Sequence, residues 1–105
     1  MIVQFEKEYL KELFEKGKCS DRRHRYQPQV IRKYAQRVET LQHAPNIEAL
    51  YPLNSLHYEV LTGDKAGVSS IRIDNRYRLE FTVSVYNGEP TMTLCSLSEI
   101  SNHYR

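Results

Sequence analysis

The sequence predicts an α+β domain in which an N-terminal two-helix hairpin packs on one face of a small antiparallel β-sheet. Three observations carry that expectation. Apolar residues recur at helical spacing in two early segments, residues 5–14 and 30–41. After Pro52 the period changes to alternation, as in half-buried strands. Turn-forming residues, Asp74-Asn75 and then Tyr86-Asn87-Gly88-Glu89-Pro90, break the alternating stretch into hairpins. Helices first and strands after them segregate into two layers.

Each element has its own local reason. Residues 1–5 alternate weakly, as a short strand does. Phe5, Tyr9, Leu10, Leu13 and Phe14 form the stripe of an amphipathic helix, and Gly17 stops it, because glycine accepts the left-handed conformation after a helix end. Residues 18–27 are polar and basic, and read as a loop. A second helix starts at Pro28, whose missing N–H is harmless in the first turn. Its stripe is Val30, Ile31, Tyr34, Val38 and Leu41, and it ends before Pro45. Arg32, Lys33 and Arg37 fall away from that stripe and give the helix a basic outer surface. Asn46 caps a short turn through Leu50, which Pro52 closes. Strands are expected at residues 56–61, 69–73, 76–85 and 91–97, with a loop at 62–67 and a polar tail at the end.

Length and composition bound the functional classes. One domain spanning residues 1–105 is the expected organisation. With 40% hydrophobic and 27% charged residues, disorder is not expected over most of the chain. No apolar run exceeds three residues, which excludes a membrane-spanning helix and a signal-peptide core. A cytoplasmic protein with no membrane partner is expected. Cys19 and Cys95 should be reduced, and neither has a Cys or His at metal-ligand spacing, so neither a metal nor a cofactor is expected. The net charge of +2 hides an asymmetry, because residues 16–37 carry eight basic side chains against Asp21 alone. Such a segment suits a polyanion, since phosphate contacts dominate nucleic-acid affinity. A solvated basic loop would look the same.

Alternation sorts the hairpin into two faces. Ile71, Ile73, Tyr77, Leu79, Phe81, Val83 and Val85 should pack under the helices, while Arg72, Arg76, Arg78 and Glu80 point the other way. His57 and Glu59 share one face of the preceding strand. Guanidiniums offer fixed bidentate donors suited to phosphate. A cross-strand Arg–Glu pair is also often mere surface pairing worth less than ~1 kcal/mol. His24 and His43 read as surface residues. His103 and Tyr104 in the tail add proton-transfer groups, and with the arginines they supply what RNA cleavage through the ribose 2′-OH needs: a base, cations and an acid. Spacing alone leads no further than an α+β domain with an anion-binding face.

The stretch Leu61-Thr62-Gly63-Asp64-Lys65-Ala66-Gly67-Val68-Ser69-Ser70-Ile71, followed by Tyr77-Arg78-Leu79-Glu80-Phe81, resembles the HigB-type toxins of the RelE/ParE superfamily, the plasmid-maintenance killer proteins. The resemblance covers most of the chain and implies a RelE-like fold. It further implies a toxin of a type II toxin–antitoxin system that acts as a ribosome-dependent mRNA endonuclease, cutting A-site message by 2′-OH attack without metal. The implied partners are a HigA-type helix-turn-helix antitoxin, the ribosome with its A-site mRNA, and operator DNA only indirectly through the antitoxin. Arg72 and Arg78 match the basic hairpin positions that would contact the scissile phosphate. His103 and Tyr104 match the family's Asp-Tyr-His type of tail in altered order. Better-known members carry His where Glu59 stands and Lys where Thr62 stands. Glu59 or His57 then becomes the candidate base, Lys65 the candidate replacement cation, and Arg76, Arg32, Lys33 and Arg37 candidate RNA contacts. A ParE-like inhibitor of DNA gyrase, or a decayed toxin that only binds RNA or antitoxin, remains the alternative.

Overall fold

The structure, a computed structural model, describes residues 1–102. Strand β1 (Ile2–Phe5) leads into helix α1 (Glu8–Lys16), and helix α2 (Pro28–His43) follows a 3-10 turn at Arg22–His24. Further 3-10 turns at Ile47–Leu50 and Asn54–Leu56 precede β2 (Glu59–Val60), and another at Gly63–Lys65 precedes β3 (Ser69–Arg72). The long strands β4 (Tyr77–Tyr86) and β5 (Met92–Asn102) complete a five-stranded sheet in the order β1-β5-β4-β3-β2.

The helices end and pack as their sequence directs. Gly17 takes a φ of 74° and its N–H donates to the Leu13 carbonyl at 3.1 Å, closing α1. Pro28 occupies the first turn of α2, and the Asn46 carboxamide oxygen accepts the Ala49 N–H at 3.0 Å. Val30, Tyr34, Val38 and Leu41 are buried along α2, and the Tyr34 hydroxyl donates to the Leu10 carbonyl at 2.7 Å. That bond ties the two helices together over Ile71, Leu79, Phe81 and Leu97, all fully buried. Each such apolar side chain contributes roughly 1.5–3 kcal/mol on burial. Both cysteines are free, and burial pushes the Cys95 thiol up to about 11.

Four expectations need correcting. The sheet is mixed, because β1 runs parallel to β5 with Val3 opposite Cys95; the other pairings are antiparallel. The expected strand at 56–61 shrinks to Glu59–Val60. Leu56 instead closes a 3-10 turn, and His57 sits at a left-handed φ of 46°, so His57 and Glu59 do not share a strand face. The last strand runs on to Asn102, since Glu99-Ile100-Ser101-Asn102 continues the ladder beside Tyr77–Glu80, past a bulge at Ser98, despite its polar sequence. Val83 and Val85 are exposed rather than packed: β3 ends opposite Phe81, and the outer half of β4 projects past it.

The basic loop between the helices is more ordered than a solvated loop. The Asp21 carboxylate accepts the Arg23 N–H at 2.9 Å and faces the His24 Nδ1 at 3.0 Å, and the His24 ring stacks on Tyr9 with centroids 3.5 Å apart. His24 is therefore half-buried rather than a surface residue. The Arg23 side chain and backbone hold the Asp21 carboxyl down to about 2. A depressed carboxyl stabilises above its ordinary value and loses that contribution as pH falls through the folded one. Amide exchange at Arg23 should therefore rise only between the ordinary aspartate range and pH of about 2, and Asp21→Ala, which removes the acceptor, should raise it already at neutral pH.

Candidate functional site

Register places the chemistry on the sheet face away from the helices. Glu59 stands opposite Ser70, Ser70 opposite Glu80, and Glu80 opposite Glu99; one row on, Arg72 stands opposite Arg78 and Arg78 opposite Ser101. The expected alternation holds, so Arg78 and Glu80 do point away from the core. That face is not open, however. The segment from Asn54 to Gly67 lies against it, and both Arg78 and Glu80 are buried.

Arg78 is held on several sides. Its Nε donates to the Ser70 hydroxyl, and its Nη2 donates to the His57 carbonyl at 2.7 Å and the Ser70 carbonyl at 3.3 Å. The Glu59 carboxylate lies 3.9 Å from the same nitrogen. Burial draws the guanidinium below the usual arginine value, and Glu59 opposes that shift, so Arg78 stays charged. The left-handed turn at His57 aims that residue's carbonyl inward and leaves its ring outside. There His57 Nε2 meets Arg72 Nη1 at 3.4 Å. Arg72 is fixed in turn by the Asp74 carbonyl at 3.2 Å from its Nε and by the Asn75 carboxamide oxygen.

Lys65 forms a second cluster. Its Nζ lies 3.0 Å from each Glu80 oxygen and 3.7 Å from Glu99 Oε1. The hydrogen bond to Glu80 raises the Lys65 ammonium above the usual lysine range. Three cations thus face three carboxylates on this surface. Among the described residues, no three His, Cys, Asp or Glu side chains come together to hold a metal ion.

The structure brings His57, Glu59, Arg72 and Arg78 together, with Lys65 beside them on Glu80. Arg76 is apart, exposed at the hairpin turn with its guanidinium 5.9 Å over the Tyr77 ring. Arg37 is half-buried rather than part of a free basic face, because its Nε donates to the Arg72 carbonyl at 2.7 Å. Arg32 and Lys33 are exposed on α2, as expected. Arg25 joins Arg76 along one groove, where Tyr26 meets Tyr77 edge-on at 5.2 Å. His103 and Tyr104 lie outside the described residues. Ser70, Glu80 and Glu99 were not singled out from sequence, although the parity of Ser70 with Arg72 and of Glu80 with Arg78 signalled the first two.

Two helices against a five-stranded mixed sheet match the fold of the RelE-like toxins. A YoeB/ParE toxin from Agrobacterium tumefaciens matches with a TM-score of 0.62 and 17% identity, over 99% of this chain and 100% of that one; the likeness is one of fold. The family model for the RelE-like toxin of the type II toxin–antitoxin system HigB matches residues 3–91, and the chain belongs to that family. It is a type II toxin, a class defined by an antitoxin partner. No curated protein sequence matches the chain. Among the described residues, no helix is long and apolar enough to cross a membrane.

Proposed function

We propose that this toxin is an endoribonuclease that cuts message in the ribosomal A site, with the ribose 2′-OH as nucleophile. The observation that carries the reading is the Glu59 carboxylate, half-exposed and 3.9 Å from the buried Arg78 guanidinium, beside the Arg72–His57 contact. A base, a fixed cation and a second, more accessible cation within one patch are what phosphodiester transfer through the 2′-OH requires. Glu59 takes the 2′-OH proton, and the 2′-oxygen attacks phosphorus. Arg72 steadies the charge on the pentacoordinate phosphate, the buried Arg78 holds the His57 carbonyl and faces Glu59, and the 5′-oxygen leaves with a proton from the His103-Tyr104 tail. Lys65 adds a third cation, in place of the lysine that Thr62 lacks. The products are a 2′,3′-cyclic phosphate and a 5′-hydroxyl.

The basic residues outside this patch serve docking. Arg25 and Arg76 share a groove, and Arg37 braces the strand that carries Arg72, so the basic loop and helix α2 run up to the edge of the site. Arg32 and Lys33 extend that surface toward ribosomal RNA phosphates. The neighbouring partner is a HigA-type helix-turn-helix antitoxin, through which the toxin meets operator DNA.

Expression without antitoxin tests the reading. Translated messages are expected to shorten at positions tied to the reading frame, with cyclic-phosphate and 5′-hydroxyl ends, while untranslated RNA stays intact. Growth arrest with intact message and gyrase-dependent DNA breaks would overturn it in favour of a ParE-like inhibitor.

A further inference from the structure

We propose that the groove running from Tyr51 to Glu59 is a stacking subsite for one nucleobase of the substrate RNA, adjoining the bond to be cut; this rests on the endoribonuclease reading above. The groove encloses about 600 Å³ and is lined by Tyr51, Leu53, Asn54, His57, Tyr58 and Glu59. Its walls are unusual for a surface loop. Tyr51 is 59% exposed and Leu53 43% exposed, so neither is placed there by core packing. The Tyr51 and Tyr58 rings lie 5.7 Å apart at 37° and splay open instead of stacking flush on each other. Tyr58 is anchored from beneath, since its hydroxyl is 2.9 Å from the Ser69 hydroxyl, and its ring is held without a loss of freedom on binding. Asn54 adds a carboxamide, which carries both a donor and an acceptor for a base edge.

The position of the groove selects the occupant. His57 and Glu59 line the same groove, and Arg72 Nη1 meets His57 Nε2 at 3.4 Å. A base lying on the Tyr51 ring therefore shares one groove with the Glu59 carboxylate and with the imidazole that Arg72 contacts. Phenol rings, an amide, an imidazole and a backing guanidinium, open to solvent, form the kind of surface that unstacked RNA bases occupy. An aliphatic peptide side chain would leave the Asn54 carboxamide and the His57 and Glu59 side chains on the groove wall without polar partners.

The test uses the full chain with a single-stranded RNA oligonucleotide that carries 2-aminopurine and is protected by 2′-O-methylation along its length, so that it binds without being cut. Fluorescence of the 2-aminopurine should be quenched by the unmodified protein and by Tyr51→Phe. With Tyr51→Ala the quench should disappear and affinity should fall about tenfold, in line with loss of one base–aromatic stack. On programmed ribosomes, Tyr51→Ala should also redistribute cleavage among codons, while its melting temperature stays unchanged because the ring is exposed. Unaltered quenching and an unaltered cleavage map in Tyr51→Ala would overturn the subsite while leaving the nuclease reading intact. Quenching that depends on Tyr51 in a protein that cuts no ribosome-bound message would support the subsite and overturn the nuclease. Weakened antitoxin binding with RNA binding unchanged would assign the groove to the antitoxin and overturn the proposal.

Discussion

Arg78→Ala is expected to lower the melting temperature by roughly 12–24 °C, the shift that about 3 kcal/mol produces in a domain of this size. The loss comes from hydrogen bonds. The guanidinium satisfies the Ser70 hydroxyl and carbonyl and the inward-turned His57 carbonyl, and each buried group left without its donor costs about 1–3 kcal/mol. Glu59 adds little to that sum, because 54% of its side chain is exposed and water can replace its partner. Cleavage should vanish with the fold at elevated temperature, and should also be lost at 20 °C, where the variant remains folded. Arg78→Lys separates the two roles: it restores the charge but not the planar fork, so it should recover part of the stability and little of the activity. Circular dichroism melts alongside single-turnover cleavage distinguish the outcomes. An unshifted melt for Arg78→Ala would mean that the 54–67 segment does not depend on this anchor.

The sequence made one half of the architecture easy to read and hid the other. Helix α2 was legible because Val30, Tyr34, Val38 and Leu41 repeat at helical spacing between Pro28 and Pro45, and the core indeed takes that stripe. The two-residue pairing of β2 was not legible. Leu56, His57 and Tyr58 alternate like a strand, but the 3-10 turn that buries Leu56 and the left-handed His57 are selected by long-range contacts, chiefly the Arg78 bond to the His57 carbonyl. Strand β5 was cut short in the expectation for a related reason. Ser98-Glu99-Ile100-Ser101-Asn102 reads as polar tail, yet pairing with β4 satisfies its backbone, and a bulge between Glu80 and Phe81 lets the register absorb the change.

Parity assigned Arg72, Arg78 and Glu80 to the right face of the sheet but said nothing about what covers it. Arg72, Arg78 and Glu80 all point away from the helices, as alternation requires. Sequence could not show that the segment after Asn54 folds back over them, burying Arg78 and Glu80 and pairing Lys65 with Glu80 and Glu99. The consequence for function is a division of labour. The two deepest charged groups, Arg78 and Glu80, position others: Arg78 holds the His57 carbonyl and faces Glu59, and Glu80 holds Lys65. The groups with room to meet a substrate are His57, Glu59, Lys65 and Arg72. A net count of three cations against three carboxylates would predict no attraction for RNA, whereas oriented donors in a partly dry patch act on the local charge of a single phosphate.

Glu59→Gln is expected to reduce cleavage of ribosome-bound message by about 10²–10⁴-fold, the contribution of a positioned general base. The substitution keeps the volume and leaves an amide oxygen facing Arg78, so the melting temperature should move by less than ~1 kcal/mol equivalent, as for a solvated pair. Binding to the ribosome should be unchanged, because the docking cations lie elsewhere, on α2 and beside Arg76. Loss of kcat without loss of affinity is therefore the signature of a group that acts in the chemical step. His57→Gln is the comparison that decides between the two candidate bases. The His57 ring meets Arg72 at 3.4 Å, where a guanidinium donor can occupy the imidazole lone pair that a base would need. Glu59, with two oxygens and 54% of its side chain exposed, keeps a free acceptor while facing Arg78. His57→Gln should accordingly cost less than Glu59→Gln. Abolished cleavage in His57→Gln with full activity in Glu59→Gln would transfer the base to His57. Full activity in both would leave the arginines and the C-terminal tail to carry the reaction.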